Sequence, residues 1–570
     1  MSIELLSLFG ITLLSLLLFK LDIEKGMKII LLCSVLLHKE LFSFYSWNLL
    51  PIRFVMLAFS AYATLYFIKN YKKLAALISD PFVLSLGLLF LARLISISNT
   101  KNLGASVSLL AFFATACAFV IFTYSVYKDK PDKILEFIKY YINVAFYLCV
   151  FGFIQVLVYS RFDFIMGALW NIPGHTPRVG SLFWDTNHFG GFLTGLLPVT
   201  GVLFLFAETY KERLKYFIYL VSMSAILLLT SSRTAWIAGF VSLLIFGMLL
   251  IYRKLHLRGV LALVFTLFLL TIPLVREYNI KSSPFRAKVK DYFHYRIDSF
   301  DSHVLLLKGS VEIFEKYPLI GGGYGGFFEH FSKTEIASEF FGRDPAAFNT
   351  RVPPHTIWGE LLSETGALGL AAFVAVIGLM LSAMLYASQK LKNAKTYFTV
   401  SAMVGAIVGW LTAGIFYSYN NEFFWIILAF YFVYTIGVLG KDFTFSKAVN
   451  YVFDSSRSQF FGLFVLGVVV FFTKLGSNHL IPWDEAIYAK IAKNIYQTGD
   501  YIFLKWSSSE LWLEKPPLYM WLMALSMKIF SITSFAVRLP SALFGLGTVL
   551  LTYVFGTKLY GRLAGFFKGE

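Results

Sequence analysis

Charged residues are scarce in this sequence: Asp, Glu, Lys and Arg make up 15% of the chain, whereas hydrophobic residues make up 58%. This balance argues against an ordinary soluble domain, in which about 25% of residues are charged. The apolar residues form continuous runs long enough to cross a bilayer as helices, without the alternation typical of barrel strands. The sequence therefore predicts an all-α, polytopic helical membrane protein.

Cysteine is rarer still, with only Cys33, Cys117 and Cys149. All three fall within apolar runs, their number is odd, and their spacing does not match a metal site. We therefore expect small core residues rather than a disulfide framework. The first apolar run, at 5–19, is not followed by a small-residue cleavage site, so it is interpreted as a retained helix rather than a signal peptide.

Acidic residues are outnumbered, because 50 Lys and Arg against 33 Asp and Glu leave a net charge of +17. The basic residues concentrate in short loops between apolar runs, as topology signals do, which argues against nucleic-acid binding. Such clusters follow every second span, at 69–73, 128–133, 211–215, 253–258 and 390–395. These loops are therefore predicted to be cytoplasmic.

The apolar runs predict about 16 transmembrane helices. The candidate spans are 4–19, 28–45, 51–68, 81–98, 104–127, 136–159, 189–207, 215–231, 234–252, 258–275, 365–387, 398–417, 422–440, 459–474, 517–531 and 538–558. Counting from the cytoplasmic loops places 276–364 outside, as a small helical cap with an amphipathic helix that Pro318 ends. The predicted domains are a membrane domain at 1–440, a cytoplasmic linker at 441–458 and a second membrane module at 459–570.

Two residues on the predicted outer face stand out. Arg233 lies between two apolar runs, where an unpaired cation costs about 2.5 to 3.5 kcal/mol on insertion scales; it is either a snorkelling interfacial residue or one with an anionic partner. His355 follows two prolines and is either structural or a base. The GGGYGG sequence at 321–326 follows a helix rather than a strand, so a tight turn explains it better than a dinucleotide site.

Residues 150–440 resemble the O-antigen ligase and polymerase family in the order and spacing of four motifs. The motifs are RVGSLFWDTNHFGGFLTGLLPV at 178–199, LLLTSSRTAWIAGF at 227–240, EKYPLIGGGYGGF at 315–327 and PPHTIWGELLSETGALGL at 353–370. The resemblance implies transfer of a glycan from an undecaprenyl-pyrophosphate carrier to an acceptor hydroxyl. The reaction would take place at the outer face of the bacterial cytoplasmic membrane, without a metal or a cofactor.

The residue types suit that reaction. A sugar pyrophosphate is a good leaving group, so neutralisation of phosphate charge is the main demand, and the planar guanidinium of Arg233 fits it. An imidazole titrates near neutral pH, which suits His355 as the base that takes the acceptor proton. The family usually has a second arginine in the cap. Here His303 holds that place and Arg296 lies seven residues earlier, so either is expected to bind substrate.

Residues 460–567 resemble a second family, the protein O-mannosyltransferases and lipid A aminoarabinose transferases. The matching motifs are WDEAIYAKIAKNIYQTGDYI, EKPPLYMWLMALSMKIF and SFAVRLPSALFGLGTVLLTYVFGTKLYGRLAGFF, in that order. By position, the resemblance assigns Asp484 to the acceptor and Lys515 to the carrier phosphate. Because that family continues for many further spans, we expect a truncated module without activity of its own.

The sequence thus predicts a lipid-carrier-dependent glycosyltransferase of ligase or polymerase type, fused to an incomplete second module. The expected partners are an undecaprenyl-pyrophosphate-linked glycan, a glycolipid, polysaccharide or protein acceptor, and the lipid bilayer. A polysaccharide flippase is the first alternative, although transporters often carry internal repeats and midplane charges. The second is a non-catalytic fusion or docking subunit of a cell-surface glycan assembly.

Overall fold

The computed structural model describes residues 19–20, 22–36, 42–44, 47–49, 51–170, 178–183, 185–251, 302–343, 348, 351–418, 421–454, 456–472, 475–476, 479–507 and 510–560. Three predicted features lie outside these ranges: most of the first span, the span at 258–275, and Arg296 with the part of the cap around it. The chain divides into two compact units, Met1–Phe445 and Ser446–Glu570.

The described part of the first unit is built mainly from helices. They are α1 (Ile23–Leu36), α2 (Pro51–Lys69), α3 (Tyr71–Ile78), α4 (Pro81–Ser96), α5 (Leu103–Tyr127), α6 (Pro131–Phe162), α7 (Thr186–Leu205), α8 (Tyr210–Leu229), α9 (Arg233–Ile251), α10 (302–316), α11 (Phe327–Phe331), α12 (Ile336–Arg343), α13 (Ile357–Glu360), α14 (Gly366–Lys390), α15 (Ala394–Ala413) and α16 (Glu422–Leu439). A π-helical turn, Leu361–Thr365, joins α13 to α14.

Nine helices among the described residues are long and apolar enough to cross a membrane. This confirms the prediction of an all-α polytopic membrane protein. The total of about 16 spans stays a prediction.

The predicted span at 28–45 is wrong in its second half. Helix α1 ends at Leu36, and two short strands, β1 (Phe42–Phe44) and β2 (Trp47–Leu49), pair antiparallel after it. The polar sequence HKE at 38–40 interrupts the apolar run. Aromatic residues then alternate with serine, a pattern that favours strands over a helix.

Helices α15 and α16 pack closely against small residues of α7. A Cβ atom added at Gly195 would lie 2.1 Å from the Trp410 ring, so only glycine lets α15 approach this closely. Trp410 Nε1 donates to the Gly191 carbonyl oxygen at 2.8 Å, and Tyr431 Oη donates to that of Gly195 at 2.5 Å. Small residues at such interfaces are typical of membrane helices, where packing rather than hydrophobicity drives association.

The described part of the cap has an apolar core of its own. Its buried side chains come from α10, α11, α12 and the loop that follows: Leu305, Leu306, Ile313, Phe327, Phe331, Ala337, Phe340 and Val352. Helix α10 ends two residues before Pro318, which confirms the predicted amphipathic helix.

A short antiparallel pair, β3 (Leu169–Trp170) with β4 (Arg178–Val179), precedes α7.

The second unit contains a helical hairpin with a third helix packed on it. Helix α17 (Phe445–Asp454) crosses the boundary between the units, and α18 (Ser456–Phe472), α19 (Asp484–Thr498), α20 (Leu518–Phe530) and α21 (Ser534–Tyr560) follow. Helix α20 packs against both α19 and α21, and α18 packs against α21. Much of the predicted linker, 441–458, is therefore helical.

Candidate active site

His355 lies on the loop that leads from the cap into α13, and its backbone is left-handed, with φ of 53°. The residues after it fix this loop to the end of α15. Thr356 Oγ1 donates to the Gly414 carbonyl oxygen at 2.9 Å and accepts from the Gly359 N–H at 3.3 Å, and the Ile357 N–H donates to Gly414 at 2.9 Å. A left-handed conformation is uncommon for any residue other than glycine, and such backbone strain concentrates at functional sites.

Two histidines from separate segments meet at this loop. The ring centroids of His303, on α10, and His355 are 5.5 Å apart, with the planes nearly perpendicular. The ring of Tyr417 lies 5.9 Å from that of His355 on another side. His303 Nδ1 is buried and has no hydrogen-bond partner within the described structure. Buried polar atoms are normally satisfied, so this atom indicates a place where a ligand group can bind.

The residue that precedes α7 supplies a carboxyl group to the same place. Asp185 accepts a hydrogen bond from the Tyr417 hydroxyl and caps α7 by accepting from the Asn187 N–H at 2.6 Å. His188 lies one turn further, its ring centroid 5.3 Å from that of Tyr417, and its Nδ1 is hydrogen-bonded to the Asn421 side chain. Tyr417 therefore connects the carboxylate to the histidine rings.

Two arginines flank the turn between α8 and α9. Arg233 is the first residue of α9. Arg178, on β4, donates through Nε to the Thr230 carbonyl oxygen at 3.1 Å and through Nη2 to Asn187 Oδ1 at 3.2 Å. Ser232 Oγ donates to the same Asn187 oxygen at 2.7 Å. The amide of Asn187 thus ties this turn to the start of α7, beside Asp185.

Burial lowers the pKa of both histidines, so both imidazoles are neutral near pH 7. Burial, together with smaller effects of the nearby His355 and Arg233, lowers the pKa of His303 to about 4, whereas Asp185 opposes them. Burial also lowers the pKa of His355, again opposed by Asp185. A neutral imidazole can accept a proton, and a carboxylate nearby stabilises the imidazolium that forms. His303 would then bind a substrate by hydrogen bonding rather than as a second cation.

The structure brings together three of the predicted site residues, because the His355 ring contacts that of His303 and the charge of Arg233 acts on His303. Arg296 lies outside the described residues. Sequence reasoning gave no role to five residues around this place: Arg178, Asp185, His188, Tyr417 and Asn421. The motif RVGSLFWDTNH holds the first three of them.

The second unit places its predicted residues on its surface. Asp484 begins α19 and Lys515 precedes α20, and both side chains are exposed. The neighbouring Glu485 is instead in a bidentate ion pair: its carboxylate oxygens accept from Arg538 Nε at 2.6 Å and Nη2 at 2.9 Å. That hydrogen-bonded pair lowers the pKa of Glu485. Glu485 therefore ties α19 to α21, an arrangement that sequence reasoning missed.

Two segments match known families. Residues 218–374 match the O-antigen ligase family, and residues 514–569 match the dolichyl-phosphate-mannose-protein mannosyltransferase family. Both resemblances predicted from the sequence are confirmed for these segments. Arg233, His303 and His355 all lie within the first. The matches support a membrane glycosyltransferase or ligase-type function.

Two uncharacterized proteins of Aquifex aeolicus (strain VF5) are also similar to this chain. One is 32% identical over 94 residues, which cover 16% of this chain and 19% of that protein. The other is 33% identical over 103 residues, which cover 18% of this chain and 24% of that protein. The chain therefore spans about a quarter or less of the length of these relatives.

Proposed function

We propose that the unit Met1–Phe445 transfers a glycan from an undecaprenyl-pyrophosphate carrier to an acceptor hydroxyl, as a ligase or a polymerase. One observation carries the proposal: His355, His303, Asp185 and Arg233 come from four separate segments, the two histidine rings lie 5.5 Å apart, and the charges of Asp185 and Arg233 both act on His303. The match of residues 218–374 to the O-antigen ligase family supports it.

In this proposal the acceptor oxygen attacks the anomeric carbon of the carrier-linked sugar. The bond between that carbon and the pyrophosphate oxygen breaks, and its electron pair leaves with the pyrophosphate. His355 takes the proton of the acceptor hydroxyl, and Asp185 stabilises the resulting imidazolium. Arg233 neutralises charge on the departing pyrophosphate, because a guanidinium can donate two parallel hydrogen bonds to phosphate oxygens.

We further propose that the site faces the outer side of a bacterial cytoplasmic membrane. The basic loops after every second predicted span support this orientation. The partners would be the carrier-linked glycan, a glycolipid, polysaccharide or protein acceptor, and the bilayer. In the second unit, Lys515 would contact a carrier phosphate, which the match of residues 514–569 supports because it includes Lys515. Asp484, outside that match, would contact the acceptor, as its place in the motif WDEAIYAKIAKNIYQTGDYI implies.

Analysis of lipid-linked glycans in a deletion strain tests the proposed function. Loss of a ligase should leave long glycans on the carrier, whereas loss of a polymerase should leave single repeats on it. The wild-type gene should restore the normal pattern, which mass spectrometry of the extracted lipids would show. An unchanged pattern of carrier-linked glycans in the deletion strain would contradict the proposal.

Asp185→Asn should lower glycan transfer by about 10- to 100-fold, because it removes the charge that stabilises the imidazolium. Asparagine is as good a helix N-cap as aspartate and can still accept from the Tyr417 hydroxyl, so the fold should persist. Because Asp185 opposes the effect of burial on the pKa of His355, its removal should lower that pKa. The acid limb of the pH–rate profile should therefore move to lower pH.

The chain offers a matched control for this substitution. Asp80 caps α4 by accepting from the Phe82 N–H at 2.9 Å, and its other oxygen accepts from the Tyr124 hydroxyl at 2.8 Å. Asp80→Asn thus makes the same chemical change to the same arrangement elsewhere. Its pH–rate profile should match that of the wild type. An identical loss in both variants would mean that Asp185 acts only in folding.

A further inference from the structure

The glycine-rich turn at 321–326 is bound directly to the segment that follows the active-site loop. The Gly322 N–H donates to the Ser363 carbonyl oxygen at 2.7 Å, and the Gly323 N–H donates to that of Glu364 at 3.1 Å. Both carbonyl groups belong to the π-helical turn before α14. Such turns interrupt the regular helical bonding and are frequent at functional sites.

The Glu364 carboxylate reaches into this turn and is almost completely buried. It accepts a hydrogen bond from the Gly325 N–H at 2.9 Å. The approach is so close that a Cβ atom added at Gly321, where φ is +72°, would lie 2.3 Å from the Glu364 backbone. The Glu364 side chain thus holds the turn through a backbone N–H that every residue except proline would keep at position 325.

The end of α4 holds the opposite side of the turn. Asn99 Nδ2 donates to the Gly321 carbonyl oxygen at 2.8 Å, and the Tyr324 N–H donates to Ser96 Oγ at 3.1 Å. The buried guanidinium of Arg93 donates through Nη1 to the Tyr324 hydroxyl at 2.9 Å. The turn is therefore held between two membrane helices rather than exposed on the surface of the cap.

This attachment bears on the active site because α10 is a single helix with His303 near its start and the turn just beyond its end. The fourteen residues from His303 to the end of α10 at 316 correspond to about 20 Å of helix. A Cβ atom added at Gly359, in α13, would lie 2.8 Å from Ser310 Oγ, so α10 also rests on α13. A shift or rotation at the turn would thus pass along α10 to His303.

We propose that Glu364 is a positioning residue that fixes the cap, through the turn at 321–326, so that His303 stays opposite His355. Glu364 and His355 belong to one continuous segment, while His303 belongs to the cap. The carboxylate therefore sets the geometry between the two histidines without touching the reacting atoms. This inference rests on the proposed function for its activity measurement and on the fold alone for its structural one.

A double-mutant cycle on the full chain tests the inference. Glu364→Ala should reduce glycan transfer by about 10- to 100-fold, and Glu364→Gln, which keeps an acceptor oxygen for the turn, should restore it to within about threefold of the wild type. In a His303→Ala background, Glu364→Ala should lower the rate of glycan transfer by no more than about a further threefold, because the imidazole that Glu364 positions is then already missing. Multiplied effects, or equal losses in the Gln and Ala variants, would overturn the proposal.

Hydrogen exchange of α10 gives a readout that does not depend on glycan transfer. Amides at 302–316 should exchange faster in Glu364→Ala than in the wild type or Glu364→Gln. Asn99→Ala, which removes a bond on the other side of the turn, should have the same effect if Glu364→Ala does not accumulate. Unchanged exchange in both Glu364→Ala and Asn99→Ala would overturn the proposal. If the wild-type protein transfers no glycan but α10 still exchanges faster in Glu364→Ala than in the wild type, the positioning role is supported and the proposed function is rejected.

Glu339 provides a matched control within the cap. It lies on α12 and forms an ion pair with Arg343 at 2.6 Å, in which both side chains are well exposed. Glu339→Ala removes a cap carboxylate without touching the turn, and exposed pairs contribute little to stability. Activity and α10 exchange should both stay within about twofold of the wild type. A loss as large as that of Glu364→Ala would show that removing any acidic residue from the cap has this effect. It would overturn the specific role of Glu364.

Discussion

His355→Asn should reduce glycan transfer by about 10²- to 10⁴-fold while the protein still accumulates in the membrane, which is the usual cost of losing a positioned base. Asparagine is chosen because it tolerates the left-handed backbone that His355 adopts, at φ of 53°, better than alanine does. The neighbouring anchors of the loop, Thr356 and Ile357, keep their bonds to Gly414. The measurement is transfer rate per amount of membrane-inserted protein.

Two further variants separate the loss of the imidazole from a disturbed loop. His355→Gly relieves the backbone strain entirely and should be as inactive as His355→Asn, and added imidazole should restore part of its activity. His479→Asn changes an exposed histidine of the second unit and should leave transfer within about twofold of the wild type. Near-normal transfer by His355→Asn would return His355 to a structural role.

The membrane fold was accessible from the sequence because long apolar runs have few alternatives to helices in hydrocarbon. The difference at β1 and β2 shows where that argument weakens. Hydropathy treats FSFY at 42–45 as the end of a span, although the mixture of aromatic residues and serine in FSFYSW at 42–47 is equally compatible with paired strands. A run interrupted by polar residues no longer specifies one kind of element.

The candidate site was accessible only in part, because its residues meet through packing rather than spacing. His303 and His355 are separated by 52 positions in the sequence, yet their rings lie 5.5 Å apart. Asp185 reads as an ordinary helix cap until Tyr417, from a distant loop, is seen to donate to it. Motif resemblance identified Arg233 and His355 as chemically suitable. It did not show which carboxylate stands beside them.

Burial also changes what a residue can do, and sequence alone does not report burial. His303 stands where the resembling family usually has a second arginine, which suggested that His303 carries a positive charge. The surrounding protein lowers its pKa to about 4, so it is neutral near pH 7. Among the described residues, the cations near the proposed pyrophosphate site are then Arg233 and, on the other side of Asn187, Arg178. Arg233, rather than His303, would therefore neutralise the phosphate charge.

Arg233→Ala should accordingly reduce glycan transfer by about 10²- to 10³-fold, because a cation aimed at developing phosphate charge is among the largest single contributions to such a reaction. Arg233→Lys keeps the charge but loses the planar pair of donors, so it should recover less than about a tenth of the wild-type rate. Transfer should be measured at several concentrations of carrier-linked glycan, to separate carrier binding from the bond-breaking step.

Arg213 is the matched control for this pair of substitutions. It lies near the start of α8, at the opposite end of that helix from the turn that holds Arg233, and its side chain is exposed. Arg213→Ala and Arg213→Lys should both transfer glycan within about twofold of the wild type. Full activity in Arg233→Lys would show that any cation suffices there, and full activity in Arg233→Ala would remove Arg233 from the site. Because a lysine can neutralise charge but cannot reproduce the guanidinium fork, the ratio between the two Arg233 variants measures how much of the effect depends on geometry.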